Sequence, residues 1–233
     1  MPDIFNLQGY GHLLLEGAWL SLRVALAAML VVLALGMAGA LARLSRSAPL
    51  RVASAAYTTI VRGIPELVLL LIVYYGGTVL LQVLMELVAG GEQRVDINAF
   101  LAGTLVLGIV YGAYAAEVFR GAFLSVPRGQ TEAAESLGMR PGLVFWRIRL
   151  PLAMRFAVPG LGNLWLTLLK ATSITSVIGL TELARQADLI KAPTHRPFAT
   201  FFLASLLYLA ATALSDLLRL RIQRWADAGV RRD

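Results

Sequence analysis

Three ionisable side chains lie in or beside stretches of the chain that are otherwise almost wholly apolar. Glu66 immediately precedes one uncharged run, Glu117 immediately follows another, and Lys170 interrupts a third. A charged group among apolar residues is costly unless it has a partner or a function. We therefore expect each to contact a charged solute or to form a buried ion pair, in which Lys170 would meet one of the two acids.

Aromatic residues and a proline accompany these acids. Tyr111 and Tyr114 precede Glu117 in the same run, where their rings either stack on a guanidinium or imidazole group or simply pack. Arg62, Gly63 and Pro65 come shortly before Glu66. Because proline removes a helical hydrogen bond, this segment predicts a kink, which either also acts as a gate or is purely structural.

Side chains that would support catalysis are missing or scattered. The chain has no Cys, and its two histidines, His12 and His195, are far apart in the sequence. It also lacks HExxH, Gly-x-Ser-x-Gly, the nucleotide-binding Gly-x-Gly-x-x-Gly and any Gly-rich loop ending in Lys-Ser/Thr. We therefore predict no metal site, no cofactor and no enzymatic activity in this chain.

The composition is that of a membrane protein. Of the 233 residues, 58% are hydrophobic and 15% charged, against roughly 45–50% and 25% in soluble domains. The net charge of +7 is attributed to cytoplasmic loops and anionic lipid rather than to nucleic acid.

Five long apolar runs predict five transmembrane helices, since one crossing needs about 20 residues. The runs are continuously apolar instead of alternating, which excludes a β-barrel. We predict an all-α protein with a single domain over residues 1–233 and spans at about 13–42, 55–89, 97–119, 156–179 and 197–219.

Basic residues are concentrated after the first, third and fifth runs. They are Arg43, Arg46, Arg51 and Arg62, then Arg120, Arg128, Arg140, Arg147, Arg149 and Arg155, then Arg219, Arg221, Arg224, Arg231 and Arg232, whereas the opposite side has Arg94, Arg185, Lys191 and Arg196. The positive-inside rule therefore places the N-terminus outside and the C-terminus in the cytoplasm.

The long cytoplasmic loop, residues 120–155, is predicted to contain a helix over 130–137. Thr131 is the expected N-cap, Gly138 ends the helix, and Pro141 discourages its continuation. The outer loop 179–197 shows a weaker amphipathic pattern, with apolar residues at Leu183, Ala184, Ala187 and Ile190.

Seven positions of the cytoplasmic loop form a recognisable motif. Glu132-Ala133-Ala134 is followed after three residues by Gly138, and after nine more by Ile148, any residue and Leu150-Pro151. The pattern resembles the EAA loop of the membrane subunits of bacterial binding-protein-dependent ABC importers, and every fixed position matches.

The resemblance covers nearly the whole chain. Segments similar to the polar amino-acid branch of that family are Arg62-Gly63-Ile64-Pro65, Ala116-Glu117, Arg120-Gly121, Ser125-Val126-Pro127, Gly129-Gln130 and Lys170 with Thr172-Ser173. The chain looks most like the permease subunits for histidine and for lysine, arginine and ornithine, with opine permease subunits next. It departs from many relatives at Ala171, where they have Asp.

This resemblance implies a type I ABC-importer permease fold in the bacterial cell inner membrane. The implied partners are a second permease subunit, an ATP-binding subunit dimer that holds ATP and magnesium, a periplasmic substrate-binding protein, a polar amino acid and membrane lipid. The expected substrate-pathway residues are Glu66, Glu117, Lys170, Tyr111 and Tyr114. The expected gate or kink residues are Arg62, Gly63 and Pro65, and the ATPase-coupling residues are Glu132, Ala133, Ala134, Gly138 and Pro151.

We expect a cationic substrate because Glu66 and Glu117 would be left without an ion-pair partner in the chain. Each acid has one basic residue within four positions, Arg62 and Arg120, and we expect both arginines to reach lipid headgroups. Histidine, arginine, lysine, ornithine and opines all remain open as substrates. The alternatives of a different class are a stand-alone channel or secondary transporter, and an intramembrane enzyme.

The orientation is testable by accessibility labelling. A single Cys introduced at Asp3 should react with a membrane-impermeant maleimide in intact spheroplasts, whereas one at Gln130 should react only after lysis. The wild-type chain contributes no background because it has no Cys. Labelling of Asp3→Cys only after lysis would overturn the orientation.

Overall fold

The computed structural model describes residues 7, 9–89 and 97–227. In this part of the chain the regular structure is helical: α1 (Gly11–Leu44), α2 (Ala48–Gly63), α3 (Glu66–Leu71), α4 (Gly77–Ala89), α5 (Ala99–Leu124), α6 (Arg128–Ser136), α7 (Pro141–Val144), α8 (Leu150–Ala171), α9 (Leu183–Thr194) and α10 (Pro197–Asp227). Two π-helical turns, Ile72–Gly76 and Phe145–Arg149, and a 3₁₀ helix, Thr172–Ile178, join successive helices. Arg94, Arg231 and Arg232, which entered the prediction of orientation, lie outside the described residues.

Five helical segments among the described residues are long and apolar enough to cross a membrane, in agreement with the predicted number. They are Gly11–Leu44, Glu66–Leu87, Ala99–Leu124, Pro141–Ile178 and Pro197–Arg224. The placement of the N-terminus outside and the C-terminus inside stays a prediction.

The second span begins at Glu66, later than the predicted residue 55. The helix α2 ends at Gly63, and Ile64 and Pro65 are extended, each with ψ of 134°, before α3 begins. Proline lacks a backbone N–H and disfavours helical geometry in the residue before it. The expected kink is therefore a complete interruption between two helices.

The helix α2 turns its polar side toward the rest of the protein. The Ser54 hydroxyl donates to the Gly39 carbonyl at 2.8 Å, and the Tyr57 hydroxyl donates to the Ile109 carbonyl at 2.6 Å. Val52 and Ile60 are exposed on the outer side. This arrangement suits an apolar surrounding, because the helix buries its hydroxyls and presents its hydrocarbon groups outward.

The loop predicted to be cytoplasmic forms the expected helix with one difference. The helix α6 begins at Arg128, so Thr131 lies inside it and is not the N-cap; Pro127 occupies that position without a side-chain cap. At the other end Gly138 adopts φ of +77°, its N–H donates to the Glu135 carbonyl, and the Met139 N–H donates to the Ala134 carbonyl. These two bonds are the Schellman pattern that glycine favours.

The fourth span begins earlier than the predicted residue 156. Pro141 starts a helical segment that continues through a π-helical turn into α8. Proline does not interrupt a helix at its first position, where no N–H is needed, and so it begins this segment. The loop between the third and fourth spans is correspondingly shorter than residues 120–155.

The contact between α1 and α5 is the most extensive in the structure. Glycines allow the two backbones to approach closely: a Cβ on Gly108 would lie 2.5 Å from Val31 Cγ1, and one on Gly36 would lie 2.6 Å from Ala115 Cβ. Small residues at such positions are typical of helix packing in membranes, where dispersion contacts replace the hydrophobic effect.

This packing predicts that Gly108→Val destabilises the protein strongly. The added methyl groups would overlap Val31, and overpacking costs about 1–3 kcal/mol of the free energy of unfolding. Unfolding of the detergent-purified protein by SDS titration measures the effect. Gly121→Val is the matched control on the same helix, because a Cβ there meets no atom within 4 Å. Equal stabilities of the two variants would contradict the packing argument.

Candidate functional site

A cavity of about 640 Å³ lies where the chain is interrupted between α2 and α3, facing α5 and α8. Its lining residues are Arg62, Gly63, Ile64, Pro65, Glu66, Val110, Tyr111, Tyr114, Leu164 and Thr167. The structure thus brings together six of the residues singled out in the sequence: Arg62, Gly63, Pro65, Glu66, Tyr111 and Tyr114.

The polar groups of this cavity contact one another through the two tyrosines. The Arg62 guanidinium carbon lies 4.9 Å from the centroid of the Tyr114 ring, within cation–π range. Tyr111 is almost fully buried beside Glu66, and its ring centroid is 6.0 Å from that of Tyr114. No ion pair joins Arg62 to Glu66. The expectation that Arg62 reaches a lipid headgroup stays a prediction, and the structure places its guanidinium against the Tyr114 ring.

Glu117 is neutralised by its neighbour. Arg120 Nε lies 2.8 Å from Glu117 Oε2, so the expectation that Arg120 leaves this acid free is wrong. Three positions along a helix place two side chains on one face, and the pairing is local. Glu117 lines a separate cavity of about 470 Å³ with Arg43, Thr58 and Thr59.

Arg62, Gly63 and Tyr114 line both of these cavities. The Arg62–Tyr114 stack therefore lies at the boundary between the Glu66 cavity and the Glu117 cavity. A position between two cavities is consistent with the assignment of Arg62 as a gate or kink residue, which stays a prediction.

Lys170 lies apart from both acids. It is exposed on α8 and lines a third cavity, of about 460 Å³, with Ser173, Ser205, Tyr208, Leu209 and Thr212. Among the described residues its ammonium group forms no ion pair, so the expected pairing with Glu66 or Glu117 is absent. The structure does not place Lys170 with the other substrate-pathway candidates.

The loop that carries the motif has both exposed and buried motif residues. Glu132 and Ala133 are exposed, as is Gly138 at the turn, whereas Ala134 is 5% exposed and packs inward. Pro151 lies in the first turn of α8. Leu137 is 84% exposed, which the sequence pattern did not single out.

One buried carboxylate was missed in the sequence. Glu182 is fully buried at the N-terminus of α9 and accepts bonds from the Ser21 hydroxyl (3.2 Å), the Tyr208 hydroxyl (2.8 Å), and the backbone N–H groups of Ala184 (3.0 Å) and Arg185 (2.9 Å). Burial raises the pKa of Glu182, and the four hydrogen bonds oppose that effect. The sequence signal that could have identified Glu182 as an N-cap is its position directly before an amphipathic helix pattern.

The described residues contain no group of three His, Cys, Asp or Glu side chains that could hold a metal ion. The arrangement instead offers one carboxylate and two aromatic rings at a cavity in a membrane protein. A carboxylate and aromatic rings can bind a cation by ion pairing and stacking.

Comparison with known proteins gives concordant results. Residues 15–232 match the family model described as "Binding-protein-dependent transport system inner membrane component". The histidine/lysine/arginine/ornithine transport system permease protein HisQ of Salmonella typhimurium is 38% identical over 97% of this chain and 98% of its own. The nopaline transport system permease protein NocQ of Agrobacterium fabrum is 40% identical over 96% of this chain and 94% of its own.

Solved structures agree with the sequence relatives. A chain of the crystal structure of an amino acid ABC transporter with histidines superposes with a TM-score of 0.81 and 31% identity, over 96% of this chain and 99% of that one. A chain of the inward-facing MetNI methionine ABC transporter shares the fold, with a TM-score of 0.71 and 20% identity over 92% and 96%. This chain, whose described residues include five helices long and apolar enough to cross a membrane, belongs to the family of inner membrane components of binding-protein-dependent transport systems.

Proposed function

We propose that this chain is the transmembrane permease subunit of an ATP-driven importer of cationic amino acids. The permease relatives named for histidine, lysine, arginine and ornithine, and for nopaline, support an amino-acid substrate. The single observation that supports a cation is the carboxylate of Glu66 in the largest of the three cavities described above. A periplasmic binding protein would deliver the substrate.

The Glu66 cavity has the size and chemistry for such a ligand. A volume of about 640 Å³ falls within the usual range of ligand pockets, roughly 300–1,000 Å³. A substrate ammonium, guanidinium or imidazolium group would pair with Glu66 in a low-dielectric setting, where ion pairing is strong. Tyr111 lies beside the carboxylate, and the Tyr114 ring offers a face on which Arg62 or the substrate cation stacks.

We assign the gate to the contact between Arg62 and Tyr114. Because these two residues separate the Glu66 cavity from the Glu117 cavity, breaking their stack would connect the two spaces. An incoming substrate cation would compete with Arg62 for the same ring and repel its guanidinium. Glu117, already paired with Arg120, would then be a second polar surface along the route.

Energy would come from a partner ATPase that docks on α6. Glu132, Ala133 and Leu137 form an exposed patch on the loop that carries the motif, and Gly138 fixes the turn that follows. Small and apolar residues permit close contact with a cleft in another subunit. ATP and magnesium would be bound by that subunit, and a second permease subunit would complete the pathway.

Reconstitution tests this function directly. The assembled complex in proteoliposomes, supplied with its binding protein and internal ATP, should accumulate radiolabelled arginine, lysine, ornithine or histidine. Uptake that proceeds without ATP would favour a channel or a secondary transporter instead. Uptake of octopine or nopaline in preference to the amino acids would assign the chain to the opine alternative.

Neutralising the two acids should give unequal effects. Glu66→Gln should reduce the transport efficiency for arginine by about tenfold or more, since hydrogen bonds to charged groups contribute roughly 1.5–3 kcal/mol. Glu117→Gln, which removes one partner of a partly exposed ion pair, should have a much smaller effect. Initial uptake rates across an arginine concentration series decide the point. Equal effects of the two substitutions would contradict the assignment.

The turn at Gly138 should be needed for coupling. Gly138→Val places a β-branched residue at φ of +77°, which is strongly disfavoured, and should lower both ATPase co-purification and binding-protein-stimulated ATP hydrolysis. Gly142→Val is the matched control, since Gly142 lies four residues further on, in α7, without a positive φ and with no atom near its added Cβ. Normal stimulated ATP hydrolysis in Gly138→Val would contradict this role.

A further inference from the structure

Three arginines surround the turn that follows the first membrane-spanning helix. Arg43 lies in the last turn of α1, Arg46 lies in the connecting turn, and Arg51 lies in the first turn of α2. Because α1 is long and apolar enough to cross a membrane, the turn at its end lies at one surface of the bilayer. We call Arg43, Arg46 and Arg51 the arginine corner.

Backbone hydrogen bonds hold two of these guanidinium groups beside the turn. Arg51 Nη1 donates to the Ser45 carbonyl at 3.2 Å and to the Arg46 carbonyl at 2.7 Å. Arg43 Nη1 donates to the Arg51 carbonyl at 3.3 Å. A guanidinium group has five N–H donors, so both side chains keep donors that these bonds do not use. Two cations are therefore fixed in place and still able to bind an anion.

The described residues supply no carboxylate to balance the arginine corner. The ion pairs in this part of the structure join other residues, and the Arg46 side chain makes no hydrogen bond or ion pair with any described residue. Glu117 lines a cavity with Arg43 but is paired with Arg120. The first turn of α2 contains no acidic residue. Since like charges close together repel one another, the corner favours an anion from outside the chain.

Apolar side chains flank the same arginines. Leu44, Leu50 and Val52, each next in sequence to an arginine of the corner, are 36%, 50% and 67% exposed. A free anion or an acidic protein surface would meet the guanidinium groups and leave these hydrocarbon groups uncovered. A phospholipid matches both features, because its phosphate accepts paired hydrogen bonds from guanidinium groups and its acyl chains cover apolar side chains.

We propose that the arginine corner binds an anionic phospholipid, with the headgroup phosphate at Arg46 and Arg51 and the acyl chains against Leu50 and Val52. Charge complementarity selects an anionic lipid, since each basic residue near a membrane surface strengthens its binding by about fivefold. A zwitterionic lipid would bring its own cation to the same arginines. The inference goes beyond the proposed function, because it holds whichever solute the chain transports.

Quenching by brominated lipid tests the site in the assembled complex. Ala48→Cys, exposed at the start of α2 and the single Cys in this chain, is labelled with a fluorophore. A complex with Cys-free partner subunits is reconstituted in phosphatidylcholine that contains either brominated phosphatidylglycerol or brominated phosphatidylcholine. The ratio of the two quenching efficiencies gives the lipid preference at one position, so differences in depth cancel. Ala213→Cys, exposed on α10, is the matched control.

The label at Ala48→Cys should report a preference for phosphatidylglycerol of about tenfold or more, whereas Ala213→Cys should report little preference. Adding Arg46→Gln to Ala48→Cys should lower the preference by about fivefold. Arg46 suits this substitution because its side chain makes no hydrogen bond with a described residue. Arg51 does not, because its bonds to two carbonyls support the turn. Recovery of the complex is measured for each variant.

Equal quenching by the two lipids at Ala48→Cys would overturn the site, and so would a preference that Arg46→Gln leaves unchanged. Loss of the preference in excess inorganic phosphate at constant ionic strength would also overturn it, because that result assigns the corner to a free anion. A preference that appears only after the partner ATPase is removed would assign the corner to a protein contact and likewise contradict the proposal. Each of these results leaves the proposed function standing.

Discussion

The interruption of the helical backbone at Ile64 and Pro65 is the constraint on which the candidate site depends. Proline cannot donate the hydrogen bond that would continue α2, so α3 starts afresh and the second span begins with an acid. The gap exposes the side chains of Arg62 and Glu66 to α5. There Arg62 stacks on Tyr114, and Glu66 lies beside Tyr111. An unbroken helix would carry these two residues on one continuous surface and leave no cavity between them.

Four charged residues that line the three cavities have different partners. Glu117 has a local ion pair, Arg62 stacks on an aromatic ring, Glu66 lies beside Tyr111, and Lys170 has no ion-pair partner among the described residues. Only the ion pair neutralises a charge within the described residues, because a tyrosine side chain carries no net charge.

Local sequence signals predicted most of the architecture. Five apolar runs predicted five spans, and the glycine at Gly138 located the end of the α6 helix, because capping and hydropathy depend on neighbouring residues. The start of the second span was misjudged because hydropathy alone does not register where proline ends a helix. The hydrogen bonds of Ser21 and Tyr208 to Glu182 could not be predicted from the sequence, since these residues come from other helices along the chain. The separation of Lys170 from Glu66 likewise required the packing of α8 against its neighbours.

Protection of a cavity residue by substrate tests most directly the claim that the Glu66 cavity binds a cationic amino acid. Thr167 lines this cavity and Ser205 lines the cavity beside Lys170, so Thr167→Cys and Ser205→Cys form a matched pair in a chain without other cysteines. Arginine at saturating concentration should slow maleimide alkylation of Thr167→Cys in the purified, transport-competent complex and leave the rate at Ser205→Cys unchanged. An unchanged rate at Thr167→Cys, in a complex that still transports arginine, would contradict the account.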